Sequence, residues 1–493
     1  MTWKDTVHPI LSKLPSINRP EGHVPFNKKL MWTGLVLLVY FYLTNVLVFG
    51  LPASTTGTDV FGQFRSILAG GQGTILTVGI GPIVTGSIIL QLLDGADLLP
   101  LDTEEDPRDQ ALYQNIQKAL VLVVTALTAS TMVFFGGFLP PDTNLAQSLG
   151  ISVGMLKAIM FAQVFAGGVI ILYLDEIVSK WGIGQGVGLF IIAGVSQRLF
   201  GGIFSIPALG APGVLYNWYS IIMGEASIGS VFTADGLTNL FLGVGSLLAI
   251  ITTVVIVTVV IYAESVRVEI PISHSQVKGA RGKFPVKLIY ASVLPMILVR
   301  ALQMNVQFIG QIINRQLGPN MPQWLGVYSN SQPVGGVFYY LDPIQTPQDW
   351  MWWLGQSSAT QEVWQIMLRV GIDLTFMIVG GAIFAIFWVK TTGMGPESTA
   401  EQLQGSGMQI PGFRKDPKIF KRVMARYIPY VTVIGGALVG VLAVMANMLG
   451  TIGGVTGTGL LLAVSITYKL YEEIAEEKMM DMHPMMRKMF GND

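Results

Sequence analysis

The feature that most limits what this chain can fold into is the recurrence of long runs without a full charge. No Asp, Glu, Lys or Arg stands between Lys29 and Asp59, Arg65 and Asp94, Lys118 and Asp142, Lys157 and Asp175, Lys180 and Arg198, Asp235 and Glu264, or Asp373 and Lys390. Another run, roughly 286–311, is interrupted by Arg300, and the last holds the 42 residues between Arg426 and Lys469. A helix crosses a bilayer with about 20 mostly apolar residues, and a charge at the bilayer centre costs on the order of 3 kcal/mol. Each run therefore reads as a span. The last is long enough for two, divided by the turn-rich Gly450-Thr-Ile-Gly-Gly-Val-Thr-Gly-Thr-Gly459. The expectation is an all-α polytopic membrane protein with ten transmembrane helices.

Composition narrows the function classes. Only 12% of the 493 residues are charged, against roughly 25% in soluble domains. The formal net charge is zero, which argues against binding nucleic acid through bulk charge. Cysteine is absent and the four histidines (His8, His23, His274, His483) are scattered, so no catalytic residue, metal site or cofactor is expected. Residues 1–29 are polar and broken by Pro9, Pro15, Pro20 and Pro25, unlike a cleavable signal peptide.

Lys and Arg set the expected orientation. With residues 1–29 inside, 24 of the 30 basic residues fall in cytoplasmic segments; Arg65, Arg198, Arg315 and Arg369 lie outside, and Lys157 and Arg300 within spans. The positive-inside rule then puts both ends of the chain, 1–29 and 469–493, in the cytoplasm of a multi-pass cell-membrane protein. Residues 30–200 hold spans one to five and 236–468 spans six to ten. Gly201–Gly224, charge-free but broken by Pro207, Pro212 and clustered glycines, begins an external or interfacial loop over 201–235. Residues 312–370, rich in Pro and Trp, form a second. Two cytoplasmic loops, 264–287 and 390–426, concentrate positive charge that either fixes topology or docks a polyanionic partner. The alternation of Val266-Arg-Val-Glu-Ile270 predicts a projecting strand.

Span centres are nearly free of ionisable groups, unlike those of transporters of charged solutes. Asp175, Asp373 and Lys390 sit at the ends of charge-free runs and read as interfacial anchors. Arg300 is the exception, either snorkelling or facing a wet cavity. Spans two and seven are both interrupted by proline, at Gly81-Pro82 and Leu294-Pro295. If ten spans are two halves of five, the odd number makes the halves inverted, and broken helices at matching places mark a transport pathway. Before span two, Val60, Phe61, Phe64, Ile67 and Leu68 share one helical face within the glycine-flanked segment 57–71. It is too short to span, and reads as either a hinged helix at the external mouth or a plain interfacial helix.

Several motifs together carry a family resemblance: Pro20-Glu-Gly-His-Val-Pro-Phe26, Gly79-Ile-Gly-Pro-Ile-Val-Thr85, Gly182-Ile-Gly-Gln-Gly-Val-Gly-Leu-Phe190, Arg267-Val-Glu-Ile-Pro-Ile272 and Ala475-Glu-Glu-Lys478. Across ten matching spans the chain resembles the SecY family of protein-conducting channels, in its archaeal type. The resemblance implies a clamshell of spans one to five and six to ten around an hourglass pore. Its waist would be a ring of Ile80, Val84, Val187, Ile191, Ile297 and Leu462. The spacing agrees with this in part, because Ile80/Val84 and Val187/Ile191 are i,i+4 pairs on single helix faces.

The same resemblance makes segment 57–71 a plug. It makes the seam between spans two to three and seven to eight a lateral gate, with Thr85, Thr128 and Asn305 as its polar positions. It implies an unfolded secretory polypeptide with a signal sequence as client, and lateral release of membrane segments into lipid. The ribosome would dock on Lys278, Arg281, Lys283, Arg414 and Lys415, and small subunits of the SecE and Sec-beta kinds would accompany the channel. Energy for vectorial movement must come from elsewhere, since no Gly-x-x-x-x-Gly-Lys-Ser/Thr loop is present. The alternatives are a secondary transporter with inverted repeats, an intramembrane hydrolase and an inactive scaffold.

Overall fold

The computed structural model describes residues 11, 14–22, 24–52, 65–95, 98–99, 107–135, 138–207, 211–225, 233–274, 281–287, 294–329, 332–354, 361–392, 394–405, 408–409 and 417–482. Among them, ten helices form the bundle: α1 Phe26–Asn45, α2 Gly81–Gly95, α3 Pro107–Ser130, α4 Val153–Trp181, α5 Gly186–Phe204, α6 Leu247–Ser265, α7 Leu294–Leu317, α8 Val363–Thr391, α9 Pro417–Leu449 and α10 Gly457–Met482. Seven helices among the described residues are long and apolar enough to cross a bilayer. Of the other three, α1 and α10 carry charged turns, and α2 has only 15 residues, because residues 74–80 before it form tight turns. Large apolar side chains cover the outside of the bundle: Leu38 is 69% exposed, Leu127 63% and Val254 61%. Such a surface is stable only in lipid.

The start of α1 and the last turns of α10 meet on one face of the bundle, here the terminal face. Lys29 at the start of α1 is paired with Glu477 of α10, and Arg267 just after α6 reaches Glu472 at 3.2 Å. Glu176 near the end of α4 joins Lys118 (2.7 Å) and Lys180 (2.6 Å), and also accepts the backbone N–H of Ile17 at 3.3 Å. So α1 leaves the terminal face while α6 arrives at it, and corresponding helices of the two halves run in opposite senses. The halves touch through α5 against α10 on one side, and through α2 against α7 and α8 on the other.

Close backbone approaches tighten the core. A Cβ on Gly436 would lie 2.5 Å from the Gly381 carbonyl oxygen, and one on Gly440 would lie 2.5 Å from that of Met377. Hence α8 and α9 cross with glycine between them, the small-residue packing that serves helices in lipid.

Three boundaries differ from the sequence reading. The run 236–263 is not one helix: Ala234–Phe241 is separate, and α6 starts at Leu247 after Gly243, Gly245 and a left-handed Ser246 (φ 47°). Between Gly201 and Gly224, α5 continues to Phe204 and a further helix runs over Val214–Ile222, too short to span. Asp373 is no span-end anchor; it lies inside the 29-residue α8, 1% exposed. Cutting spans at charges fails where the charge is paired within the bundle.

The predicted strand is present. Strand β1 (Arg267–His274) pairs antiparallel with β2 (Arg281–Lys287), in a register that sets Arg267 opposite Lys287 and Pro271 opposite Lys283. A short strand, Met408–Gln409, pairs with Ser273 and His274 on the other edge of β1. The two basic loops thus share one three-stranded sheet, which the sequence did not signal.

Candidate functional site

Residues from α2, α5, α7 and α10 converge between the halves. Ile80 (in the turn entering α2), Val84, Ile191, Ile297 and Leu462 all belong to one buried cluster, and half-buried Val187 packs against it. None of the five is more than 4% exposed. Below them, on the side of the terminal face, opens a cavity of about 860 Å³. Val84, Val187 and Ile297 line it, together with Ser87, Gln117, Lys118, Asp175, Glu176 and Lys180. The polar cavity, a funnel open toward the terminal face, is thus bordered by aliphatic side chains, and Ile80, Ile191 and Leu462 belong to the buried cluster that contains Val84 and Ile297.

Local chemistry explains the glycine motifs. Gly79 has φ +57°, and a Cβ there would lie 2.2 Å from the carbonyl oxygen of Leu68. That oxygen accepts the Ile80 N–H at 2.8 Å. Pro82 costs nothing in the first turn of α2, where its missing N–H has no intrahelical partner. At the start of α5, the Asp175 carboxylate accepts the Val187 N–H at 2.8 Å, and a Cβ on Gly186 would stand 2.5 Å from the same oxygen. Asp175 is thus a half-buried cap on α5 that fixes Val187 at the edge of the cavity.

The plug expectation is half visible. Val60, Phe61 and Phe64 lie outside the described residues. Ile67 and Leu68 end the short helix Arg65–Leu68 and are 4% and 3% exposed. Ala69 follows in a left-handed conformation (φ 52°), and its carbonyl accepts the Tyr40 hydroxyl at 3.0 Å. It packs on Gly194, three residues along α5 from Ile191 and away from the funnel. The segment thus seats on the aliphatic cluster from the side opposite the cavity. Tyr40 was not singled out from sequence; its hydroxyl is one of four in α1, with those of Thr33, Tyr42 and Thr44, and carries no pattern of its own.

At the seam between the halves, Asn305 Nδ2 of α7 donates to Thr85 Oγ1 of α2 at 3.1 Å. Thr128 is half-buried on α3 and takes no part in that bond. Of the basic positions, Arg281 and Lys283 lie in β2, opposite Ser273 and Pro271. Lys278, Arg414 and Lys415 lie outside the described residues.

Arg300 neither snorkels nor faces the funnel. It is 2% exposed, and its Nη1 contacts Gln303 Oε1 (2.7 Å) and Asp373 Oδ1 (3.4 Å), while its Nε donates to Thr458 Oγ1 at 3.2 Å. Asp373 also accepts the N–H of Ile344 from the loop between α7 and α8 (3.3 Å). In that loop Asp342 pairs with Arg369 at 2.6 Å. Burial pushes the Asp342 carboxyl up to about 7; Arg369 opposes the rise, and Asp349 and Asp373 add to it. These charged residues come from distant parts of the sequence, and no local pattern announced their pairing.

The comparisons with known proteins fit this geometry. The family description SecY matches residues 74–471, and a second, Plug domain of Sec61p, matches residues 38–73. The chain belongs to the SecY family. It is 65% identical over 492 residues to "Protein translocase subunit SecY" of Haloarcula marismortui (strain ATCC 43049 / DSM 3752 / JCM 8966 / VKM B-1809), covering 100% of both chains. A solved structure described as "The structure of a protein conducting channel" superposes with a TM-score of 0.77 at 36% identity, over 97% of this chain and 98% of the other. "Sec61 in the Canine ribosome-channel complex from the endoplasmic reticulum" matches with a TM-score of 0.74 at 34% identity, over the same shares. The chain is a multi-pass membrane protein, a protein translocase subunit on the protein-conducting channel fold, with a plug domain. The secondary-transporter alternative is not favoured.

Proposed function

We propose that the six aliphatic residues form the constriction through which an unfolded secretory polypeptide passes, without catalysis by this chain. The observation that carries this reading is that Val84, Val187 and Ile297 line one polar cavity and pack in one cluster with Ile80, Ile191 and Leu462, with the segment ending at Leu68 bonded to Ile80. An aliphatic neck excludes ions by dewetting and offers a moving peptide no fixed charge to bind. The 57–71 segment, including Val60, Phe61 and Phe64, is the plug. The seam with Thr85, Thr128 and Asn305 is the lateral gate, where one polar bond, worth about 1 kcal/mol, breaks as a signal helix enters. About 20 apolar residues then gain by transfer into lipid. Replacing Ile80, Ile191 and Ile297 together by Ser should raise resting ion conductance in planar bilayers. Currents equal to those of the native channel would sink the constriction.

The terminal face is cytoplasmic in this reading, on the balance of Lys and Arg, and the membrane is the cell membrane. The ribosome docks on the sheet that joins the two basic loops, through rRNA phosphates at Lys278, Arg281, Lys283, Arg414 and Lys415. A relative solved in a ribosome–channel complex supports that partner. SecE-type and Sec-beta-type small subunits complete the channel. Reversing Arg414 and Lys415 to Glu should weaken ribosome binding most at low salt, because each lost phosphate contact removes one step of counterion release. Affinity unchanged at every salt concentration would reject the docking role.

A further inference from the structure

Arg300 stands three residues after Ile297 on α7, and Thr458 stands four residues before Leu462 on α10. At these spacings each lies on the same helix face as its aliphatic neighbour, one turn along. The Arg300–Thr458 contact at 3.2 Å therefore sits one turn from the constriction, on the side away from the funnel, and joins the two helices that carry Ile297 and Leu462. Further bonds extend it. Arg300 and Gln303 both reach Asp373 Oδ1 on α8, at 3.4 and 3.0 Å. Thr458 is held by Asn447 of α9, whose Oδ1 lies 2.8 Å from the Thr458 N–H and 3.2 Å from its hydroxyl. Gln303, Asp373, Asn447 and Thr458 are all at most 3% exposed.

We propose that Arg300 is a positioning residue for conduction: with Asp373 and Thr458 it clasps α7, α8 and α10 together and sets the spacing of Ile297 and Leu462 across the waist. The proposal rests on the constriction reading above. Apolar contacts between helices are non-directional and let them slide in lipid, whereas a planar guanidinium bonded to two helices fixes distance and angle together. Separating α7 from α10 strips a buried cation of a partner in a medium that cannot replace it. Such a pair contributes conformational specificity more than stability, since buried pairs can often be exchanged for apolar side chains without net loss. The clasp thus keeps one wall of the neck rigid, and passage widens the neck elsewhere, at the α2 seam where Asn305 donates to Thr85.

The test measures thermal stability and resting ion conductance of the purified channel in three variants. T458V removes the bond to α10 at nearly constant volume and leaves the Arg300–Asp373 pair intact. R300K keeps the charge and loses the fork. R300M/D373L removes the pair as a unit. T458V and R300K should leak at least several-fold more than native at near-native melting temperature, and R300M/D373L should stay leaky even where its melting temperature is native. A T458V channel that is both stable and as tight as native overturns the proposal, and should R300M/D373L not fold, T458V and R300K decide. The Ile80, Ile191 and Ile297 to Ser channel separates the two readings. If it leaks while T458V is tight, the clasp fails and the constriction stands; if it too is tight, the constriction fails and takes the clasp with it.

Discussion

Both halves of the channel pair charges at the terminal face, and the second also seals one pair inside the bundle. In the half formed by α1 to α5, the ionic contacts gather at the terminal face, where Lys118 and Lys180 share Glu176 at the rim of the funnel. The half formed by α6 to α10 has Arg267–Glu472 at the same face and, on the far side of the aliphatic cluster, the enclosed pair Arg300–Asp373 and the half-buried pair Arg369–Asp342. The first group borders water, which can replace a lost partner. Arg300–Asp373, with side chains 2% and 0% exposed, is sealed, and nothing replaces a partner there. The same chemistry therefore does different work: at the rim it fastens a chain segment, and in the interior it dictates how helices stand to one another.

The largest effect should come from breaking the interior pair on one side only. Asp373→Leu leaves the Arg300 guanidinium buried without a counter-charge, which destabilises by about 3–5 kcal/mol. Because Asp373 also accepts from Gln303 and Ile344, the loop over 341–346 should loosen with it. Thermal unfolding of the purified channel in detergent measures the loss. A melting temperature within a degree or so of native would mean that Arg300 finds water, and the contrast between the halves would collapse.

A smaller effect is expected at the rim. Glu176→Gln removes the charge shared by two lysines, at side chains 9–19% exposed, and contacts of this kind near water contribute about 1 kcal/mol or less. Global stability should barely move. The readout is local, because Glu176 accepts the Ile17 N–H and Trp181 Nε1 donates to the Asn18 carbonyl at 2.9 Å. Limited proteolysis within residues 11–22 should quicken several-fold in Glu176→Gln. A loss of stability comparable to that of Asp373→Leu would show that the rim is as sealed as the interior.

How far the sequence reached follows the same division. Spans were legible because lipid penalises charge uniformly, so a one-dimensional scan finds them. The aliphatic i,i+4 pair Val187/Ile191 was legible as a helix face, whereas Ile80 stands in the turn before α2, and only a family resemblance could pick these residues out among so many aliphatic ones. Asp373 was misplaced because its partner Arg300 lies 73 residues away, and the scan treats each charge alone. The break at Ser246 was missed because a left-handed residue between two helices changes no hydropathy. The joining of β1 with Met408–Gln409 links positions more than 130 residues apart, and two paired residues carry no pattern of their own.

The smallest expected effect concerns pH and the loop between α7 and α8. Asp342 lies outside the spans, half-buried, with Arg369 Nε donating to its backbone carbonyl at 2.9 Å. Burial, the largest influence, raises its carboxyl to about 7, whereas a released, solvated loop would have a carboxyl near about 4. Between those values the docked loop holds a proton that the released loop does not. Docking is then strongest below about pH 4 and weakens as pH rises through about 7, the reverse of an Asp whose carboxyl is depressed by its partner. Amide exchange at 341–346, corrected for intrinsic base catalysis, should show more frequent opening at about pH 8 than at about pH 5. Asp342→Asn, which keeps an acceptor for Arg369 but cannot titrate, should flatten that dependence. An equally steep profile in the Asn variant would assign the titration to another group. No slope in the native channel would mean that Arg369 outweighs burial, and that this pair behaves as the rim charges do.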